Sequence, residues 1–267
     1  MAKAPKGEGR GVQSIEVGTK LLQALAERSE PMMLKDIAAA AGVAPAQAHA
    51  YLLSYRKLGI IEKDGQAGRY RIGPRALDLG IVRMRNFDSI QLFSDAAEAL
   101  REETGMTVLL SIWGAFGPTV IKVSEGQGQL HMNTRVGTVF SVTATTTGHV
   151  FAAHMPPDII QDLLKFEKSK GFAEKRVGDV KPLTQAQLAD VRQQGFAAIE
   201  KAPVPGVVAV GAPIFDHVGQ IQAVVTLVGT ETQLKRAADW PQVQQLLANT
   251  RQTSQQMGFN PKAPAFT

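Results

Sequence analysis

The feature that most constrains the fold is a short punctuation mark, Gly42-Val43-Ala44-Pro45, set between two helical patterns. An Ala-rich helix of about Lys35–Ala41 precedes it. Gly42 falls at the C′ position, where a left-handed backbone costs glycine little. Pro45 suits the first position of the next helix, because its missing N–H would find no helical acceptor there anyway. That helix runs to about Leu58 and is closed by Gly59. A first helix is expected over about Ser14–Arg28, capped by Ser14, with Leu21, Leu22 and Leu25 at helical spacing. Gly18 interrupts its pattern, and Ser29-Glu30-Pro31 ends it. Helix, tight Gly turn and helix make the helix-turn-helix layout. Ile60–Asp64 and Arg69–Ile72 then read as strands around Gly65-Gln66-Ala67-Gly68. This cationic hairpin turns the unit into a winged helix-turn-helix.

The third helix divides into two faces. Ala48, Tyr51/Leu52, Tyr55 and Leu58 share a stripe that should pack on the first two helices. Ala46, Gln47, His49, Ala50, Ser54 and Lys57 lie opposite. The N-terminal residues of a recognition helix are those that reach base edges in the major groove. Gln47 can bond adenine through two hydrogen bonds and Ala50 can touch a thymine methyl. His49 can donate to a phosphate or a base, the plain alternative being a solvated surface histidine. Lys63, Arg69 and Arg71 on the wing suit phosphate rather than bases, unless they are ordinary strand-edge charges.

The charge balance favours the same partner. Residues 1–85 hold 14 Lys/Arg and 8 Asp/Glu, a balance of +6; residues 86–267 hold 15 and 16, a balance of −1. A basic unit of this kind attracts a phosphate backbone, although a merely solvated basic surface would have the same count. With 44% hydrophobic and 20% charged residues the chain can bury a core, which excludes wholesale disorder. The absence of cysteine removes disulfides, thiol nucleophiles and thiolate metal sites. Apolar runs such as Val207–Phe215 fall short of the about 20 residues a membrane span needs. Residues 1–10 read as a flexible arm and not a signal peptide, so the expected location is the cytoplasm.

The remaining two thirds read as a helix followed by an α/β domain. Pro74–Arg85 looks helical, with Leu77, Ile81 and Met84 in a stripe, and forms a natural linker. Ser89–Thr104 is a further helix with Ile90, Phe93, Ala97 and Leu100 facing inward. Thr107–Trp113 and Thr119–Val123 flank the hairpin signal Gly114–Pro118. Leu130–Arg135 is expected as a third strand and Val139–Thr143 as a short fourth. Helices Thr145–His154, Pro157–Phe166 and Thr184–Gln194 follow, the last opened by a capping box of Thr184 and Gln187. Strands Phe196–Ile199, Val207–Phe215 and Gln220–Val228 precede a closing helix, Trp240–Met257, with Val243, Leu247 and Thr250 facing inward. Helices packed on an antiparallel sheet define an α+β class.

The sequence resembles the isocitrate-lyase regulator (IclR) family over roughly residues 11–258. The resemblance rests on several motifs in order: Gly11-Val12-Gln13-Ser14, Leu34-Lys35-Asp36-Ile37-Ala38, Leu58-Gly59-Ile60-Ile61 and Arg69-Tyr70-Arg71-Ile72-Gly73-Pro74-Arg75. It continues through Leu77-Asp78-Leu79-Gly80, Arg135-Val136-Gly137, Thr145-Thr146-Thr147-Gly148-His149-Val150-Phe151-Ala152-Ala153 and Pro205–Ile214. It implies a transcriptional regulator with a winged helix-turn-helix over 11–73, a dimerising linker helix over 74–88 and a GAF-like effector-binding α/β domain over 89–258; the arm over 1–10 and a tail over 259–267 flank these parts. The implied partners are a double-stranded DNA operator, a small-molecule effector, and further copies of the chain in a homodimer or dimer of dimers. Gln13, Ser14, Lys35 and Pro45 complete the candidate DNA contacts. Motif matching places effector-lining positions at Met132, Phe140, Thr146, Thr147, Ile199, Glu200, Val207, Ala209, Thr226 and Val228, with Trp113 adding an aromatic wall. Hydroxyls and backbone N–H groups at a helix N-terminus suit a carboxylate. With apolar walls, the mix fits an aromatic or other apolar organic acid, ordinary core packing and an ordinary helix cap being the alternatives.

The chain departs from the family pattern in four places. Ala46-Gln47 stands for Ser-Thr and Ala50 for Arg, which alters the expected operator. Ser141-Val142-Thr143 stands for Pro-Leu-His and His149 for Lys, which alters the expected effector. No cofactor or metal is expected. His149 and His154 are five residues apart, which misses the spacing of a helical zinc pair, and no nucleophile elbow occurs. An enzyme with an appended basic domain and an effector-free architectural DNA-binding protein are the competing function classes.

Overall fold

The structure is a computed structural model that describes residues 11–28, 30–64, 68–127, 134–169, 183–199 and 206–261, without the side chains of 84 and 167–169. The described chain forms two compact units, one reaching Phe87 and the other spanning Asp88–Asn260.

The first unit contains helices α1 (Gln13–Ala26), α2 (Leu34–Ala41) and α3 (Pro45–Lys57), strands β1 (Ile61–Lys63) and β2 (Tyr70–Ile72), and helix α4 (Pro74–Arg85). Gly42 adopts φ 68°, and the N–H groups of Gly42 and Val43 close α2 by donating to the Ala39 and Ala38 carbonyls. Leu21, Leu25, Ile37, Ala48, Leu52, Ile61 and Tyr70 form the core. Gly18 is buried where α1 crosses α3; a methyl group there would meet the Tyr55 hydroxyl and approach Tyr51 Cδ1 to 3.3 Å. The interruption in the helical pattern is therefore a close helix contact. The helix begins one residue earlier than expected. Its N-cap is Val12, which makes no side-chain cap bond, and Ser14 lies inside the first turn.

The wing is tied down by a contact invisible in the local pattern. Met32, in the α1–α2 connection, exchanges two backbone bonds of 2.9 and 2.8 Å with Tyr70. Residues 65–67 of the expected turn lie outside the described residues.

The second unit contains α5 (Ser89–Thr104), β3 (Thr107–Gly114), β4 (Gly117–Ser124), α6 (Thr146–His154), α7 (Pro157–Ser169), α8 (Gln185–Gln194), β5 (Ala197–Ala198), β6 (Val207–Phe215), β7 (Ile221–Thr230) and α9 (Pro241–Gln256). The sheet is antiparallel with strand order β4-β3-β7-β6-β5. Strand residues alternate between its faces. Val208, Val210, Ala212 and Ile214 of β6 join Val225 and Leu227 of β7 in a core with Phe93 and Leu100 of α5 and Leu246 of α9. The other face receives α6, whose Val150 and Phe151 pack with Val224, Ile221 and Ala197. Two α+β units, a helix-turn-helix and a five-stranded α/β domain, thus realise the expected fold class.

One strand expectation fails, and another falls mostly outside the described residues. Val139 makes only an isolated bridge to Thr119, and 140–143 is irregular, because Ser141 turns back to accept the Thr145 hydroxyl. Of Leu130–Arg135, residues 130–133 lie outside the described residues, and Thr134 and Arg135 are not in a strand. Ile90, expected to face inward, is 46% exposed, because it stands in the first turn of α5. The capping box of α8 forms as expected, with Gln187 N–H donating to Thr184 and Thr184 N–H donating to Gln187.

Candidate functional site

The candidate DNA surface is built by α3 and the wing. Ala48 and Leu52 are fully buried and Tyr51 and Tyr55 half-buried. Burial raises the Tyr55 phenol, with Tyr51 adding to the shift. The opposite face is exposed throughout, at Pro45, Ala46, Gln47, His49, Ala50, Ser54 and Lys57. The inward stripe stops at Tyr55, however. Leu58 is 61% exposed because the helix ends at Lys57 and Gly59, at φ 72°, turns the chain away. Gln13, Ser14 and Lys35 are exposed on α1 and α2. The Ser54 hydroxyl donates to the Ala50 carbonyl at 3.1 Å, the usual back-bond of a helical serine.

The wing cations differ in their surroundings. Glu62 and Arg71 are directly opposed across the hairpin, and Arg71 Nε donates to Glu62 Oε1 at 2.6 Å. The Lys63 ammonium lies 5.6 Å from the centroid of the Tyr70 ring, within cation–π range. Arg69 is exposed immediately before β2. Part of the wing's positive charge is thus held by an acidic neighbour that sequence reasoning did not weigh.

The candidate effector site lies where the N-terminus of α6 meets the sheet. Thr145 caps the helix, accepting from Gly148 N–H at 3.0 Å and donating to the Ser141 carbonyl at 2.8 Å. Thr146 and Thr147 are buried. The Thr146 hydroxyl donates to the Ala209 carbonyl at 3.2 Å, and the Thr147 hydroxyl lies 2.9 Å from that of Thr226. Thr226 pairs in register with Gly211, and Val228 with Ala209. A Cβ on Gly211 would come within 3.0 Å of the Thr226 hydroxyl, so the small residues of β6 let α6 approach. The first-turn N–H groups of Thr146 and Thr147 have no acceptor within the helix, as at any helix start. Thr146, Thr147, Ala209, Thr226 and Val228 are therefore assembled around one point.

The other expected positions are dispersed. Val207 begins β6, and Ile199 follows β5; both are half-buried. Phe140 donates its N–H to the Pro118 carbonyl at 2.7 Å. Met132 and Glu200 lie outside the described residues. Trp113 packs edge-on against Phe151 at 5.5 Å and lines a separate cavity of about 740 Å³, which includes none of the other expected effector positions.

Two residues of the Thr-Gly-His motif acquire physical roles that sequence reasoning left unstated. A methyl group on Gly148 would collide with the Ser141 carbonyl and come within 2.5 Å of Val142 Cα. The ring of His149 bonds the Thr143 carbonyl through Nε2 at 2.9 Å, and burial lowers its pKa. Both hold the 141–143 loop against α6. Among the described residues no three His, Asp or Glu side chains are placed to hold a metal ion, and no helix is long and apolar enough to cross a membrane.

A winged helix-turn-helix in one unit and a helix-covered antiparallel sheet in the other, with buried threonines at a helix N-terminus, are the parts of a ligand-responsive DNA-binding regulator. The comparisons with known proteins narrow this class. The pattern described as IclR helix-turn-helix domain matches residues 14–65, and that described as Bacterial transcriptional regulator IclR C-terminal matches residues 83–257. The chain therefore belongs to the IclR family of bacterial transcriptional regulators.

Among solved structures it is similar to Pseudomonas aeruginosa HmgR, at 31% identity and a TM-score of 0.78, covering 94% of this chain and 100% of that one. Among characterised relatives it is 26% identical to the HTH-type transcriptional regulator BhcR of Paracoccus denitrificans, over 85% of this chain and 81% of that protein. It is 25% identical to the HTH-type transcriptional regulator XynR of Escherichia coli, over 93% and 95%.

Proposed function

We propose that this regulator binds its operator through the exposed face of α3 and the β1–β2 wing, and that an apolar, preferentially aromatic, carboxylic acid modulates that binding from the N-terminal end of α6. Gln47, His49 and Ala50 read bases. Lys57, Lys63, Arg69 and Arg71 contact phosphates, helped by Gln13, Ser14, Lys35, Pro45, Ala46 and Ser54. With Ala50 in place of the family's Arg, affinity comes mainly from the wing and flanking cations.

One observation carries the effector assignment. A helix N-terminus, with its unbonded N–H groups and favourable dipole, is seated beside the buried Thr147–Thr226 hydroxyl pair. Each hydroxyl of that pair keeps acceptor capacity toward a ligand. Val207, Ala209 and Val228 supply apolar surface, and Phe140, Ile199, Met132 and Glu200 complete the proposed lining.

The chain works as a dimer or dimer of dimers in the cytoplasm, without catalysing a reaction. Leu77, Leu79 and Val82 of α4 are each more than half exposed, which supports residues 74–88 as a dimerising linker. Effector binding shifts the population of dimer geometries and hence the spacing of the two recognition helices.

A thermal-shift screen of organic acids on the full chain tests the effector site. An aromatic acid should raise the melting temperature of the native protein and not that of Thr147→Val. A ligand that stabilises both equally would overturn the assignment.

A further inference from the structure

We propose that Ala46, Ala50 and Leu53 form an apolar strip on α3 that reads the C5-methyl groups of pyrimidines in the operator's major groove, with Leu53 as a specificity-determining residue. The inference rests on the proposed docking of α3 against DNA and adds what that face selects.

The strip follows from helix geometry. At about 100° per residue, the buried Ala48 and Leu52 and the half-buried Tyr51 and Tyr55 centre on the core side of α3. Ala46, Ala50 and Leu53 fall within about 60° of one another, opposite that centre. They are the side chains that face most directly away from the core. Gln47 and Ser54 flank them on one side, His49 and Arg56 on the other, all exposed. Lys57 continues the strip as a cation in the last turn of the helix.

Leu53 has no evident part in folding. It is 38% exposed and is not among the side chains packed on the core of the first unit, which take in Tyr51 and Tyr55. A single exposed leucine is ordinary, but this one lies in line with two exposed alanines. A helical side chain leans toward the N-terminus of its helix, so Leu53 covers the turn that carries Ala50. The short alanine side chains let the helix settle close to the base edges, while the first-turn N–H of Ala46 remains for a phosphate. Ala46 and Ala50 stand where the family pattern has Ser and Arg, so the strip belongs to this chain and not to the family pattern.

The chemistry of the groove selects the ligand. Guanine, adenine and cytosine present hydrogen-bond donors and acceptors on their major-groove edges, whereas thymine adds a methyl group. An apolar strip laid over a G·C edge would remove water from those groups and return no hydrogen bond. Against thymine it gains the burial of the methyl group. Cytosine methylated at C5 carries the same methyl at the same place, so the strip accepts 5-methylcytosine as well. Ala46 and Leu53 are about 10 Å apart along the helix axis, comparable with the rise of about three base pairs, so the strip faces a short run of methyl-bearing bases.

The test starts by selecting duplexes from a randomised DNA library with the full chain, which supplies its preferred sequence. Fluorescence anisotropy then measures affinity for that duplex with each thymine in turn replaced by deoxyuridine, a change that removes only the methyl. Affinity should fall about fourfold at one or more thymines, the worth of burying one methyl-sized group. Replacing a sensitive T·A pair by C·G or by 5-methylcytosine·G should separate the two by a similar factor, in favour of the methylated base. Leu53→Ala should remove the uracil penalty at one sensitive position and leave the others within about twofold. Ala50→Arg should convert another sensitive position from T·A to G·C, and it keeps the test decisive if Leu53→Ala fails to fold. Uracil penalties below about twofold throughout, or penalties unchanged in both variants, overturn the proposal while the selected sequence leaves the DNA-binding reading standing. A library that yields no enriched sequence overturns both.

Discussion

Thr147 and Thr226 stand 79 residues apart in the chain, yet their hydroxyl oxygens lie 2.9 Å apart in the buried seam between α6 and the sheet. Each is the other's partner at a place where water is excluded. Removing one hydroxyl strands the other, whereas removing both leaves two apolar groups in contact. Thr147→Val and Thr226→Val should each lower unfolding free energy by about 1–2 kcal/mol, and the double variant should lose less than their sum, with a coupling of about 1 kcal/mol. Urea unfolding of the four proteins measures the cycle; strict additivity would show that the hydroxyls do not depend on each other.

Glu62 restrains Arg71 on the wing. The pair is exposed, so it contributes little to stability, but it diverts a cation from the phosphate backbone. Glu62→Gln should tighten DNA binding by about two- to fivefold at low salt and steepen the salt dependence, while Arg71→Ala should do the reverse. Fluorescence anisotropy across a salt series distinguishes this from a change in base reading, which would alter operator preference at constant slope.

His154 makes stability sensitive to acid. Its folded pKa of about 4 lies below the ordinary 6.5, with burial the main cause and Arg192 the second. The unfolded chain therefore takes up this proton at a higher pH than the folded one. The stabilisation from keeping the ring neutral is complete above about pH 6.5 and is lost as pH falls through about 4. Between pH 7.5 and 5 the group should account for about 1–2 kcal/mol of lost stability. His149, also lowered by burial, acts in the same direction. Comparing urea midpoints of the native chain and His154→Gln at both pH values isolates the His154 share; an equal acid loss in both would remove it.

Gly148 is required by contact, not by conformation. A methyl group would run into the backbone at Ser141 and Val142, and backbone cannot rotate aside as a side chain can. Gly148→Ala should cost about 2–4 kcal/mol despite alanine's better helix propensity. A variant melting within a degree of the native chain would show that the loop yields.

The apolar side chains on α4 should hold copies of the chain together. Replacing Leu79, 66% exposed, by Asp should leave the fold intact and shift the sedimentation of the full chain toward monomer. Unchanged sedimentation would move the dimer contact elsewhere.

What the sequence by itself determined was short-range. Gly42 in the left-handed region, Pro45 opening α3, the reciprocal bonds of Thr184 and Gln187, and the burial of Ala48 and Leu52 all follow from neighbours within a turn or two. The family motifs then located α6 and its threonines. Local signals failed at element ends: Leu58 continues the apolar spacing but lies past the last helical residue, and Val139–Thr143 has strand-like composition but only one bridging residue.

The tertiary structure decided which distant groups meet. It set the strand order β4-β3-β7-β6-β5, the Met32–Tyr70 bridge, the Glu62–Arg71 pair, the Thr147–Thr226 contact and the separation of Trp113 from the threonines. The physical reason is that propensity and periodicity act along the chain, whereas hydrogen bonds and packing act through space. A threonine in a helix and a threonine in a strand carry no mark of each other until the sheet has closed beneath the helix.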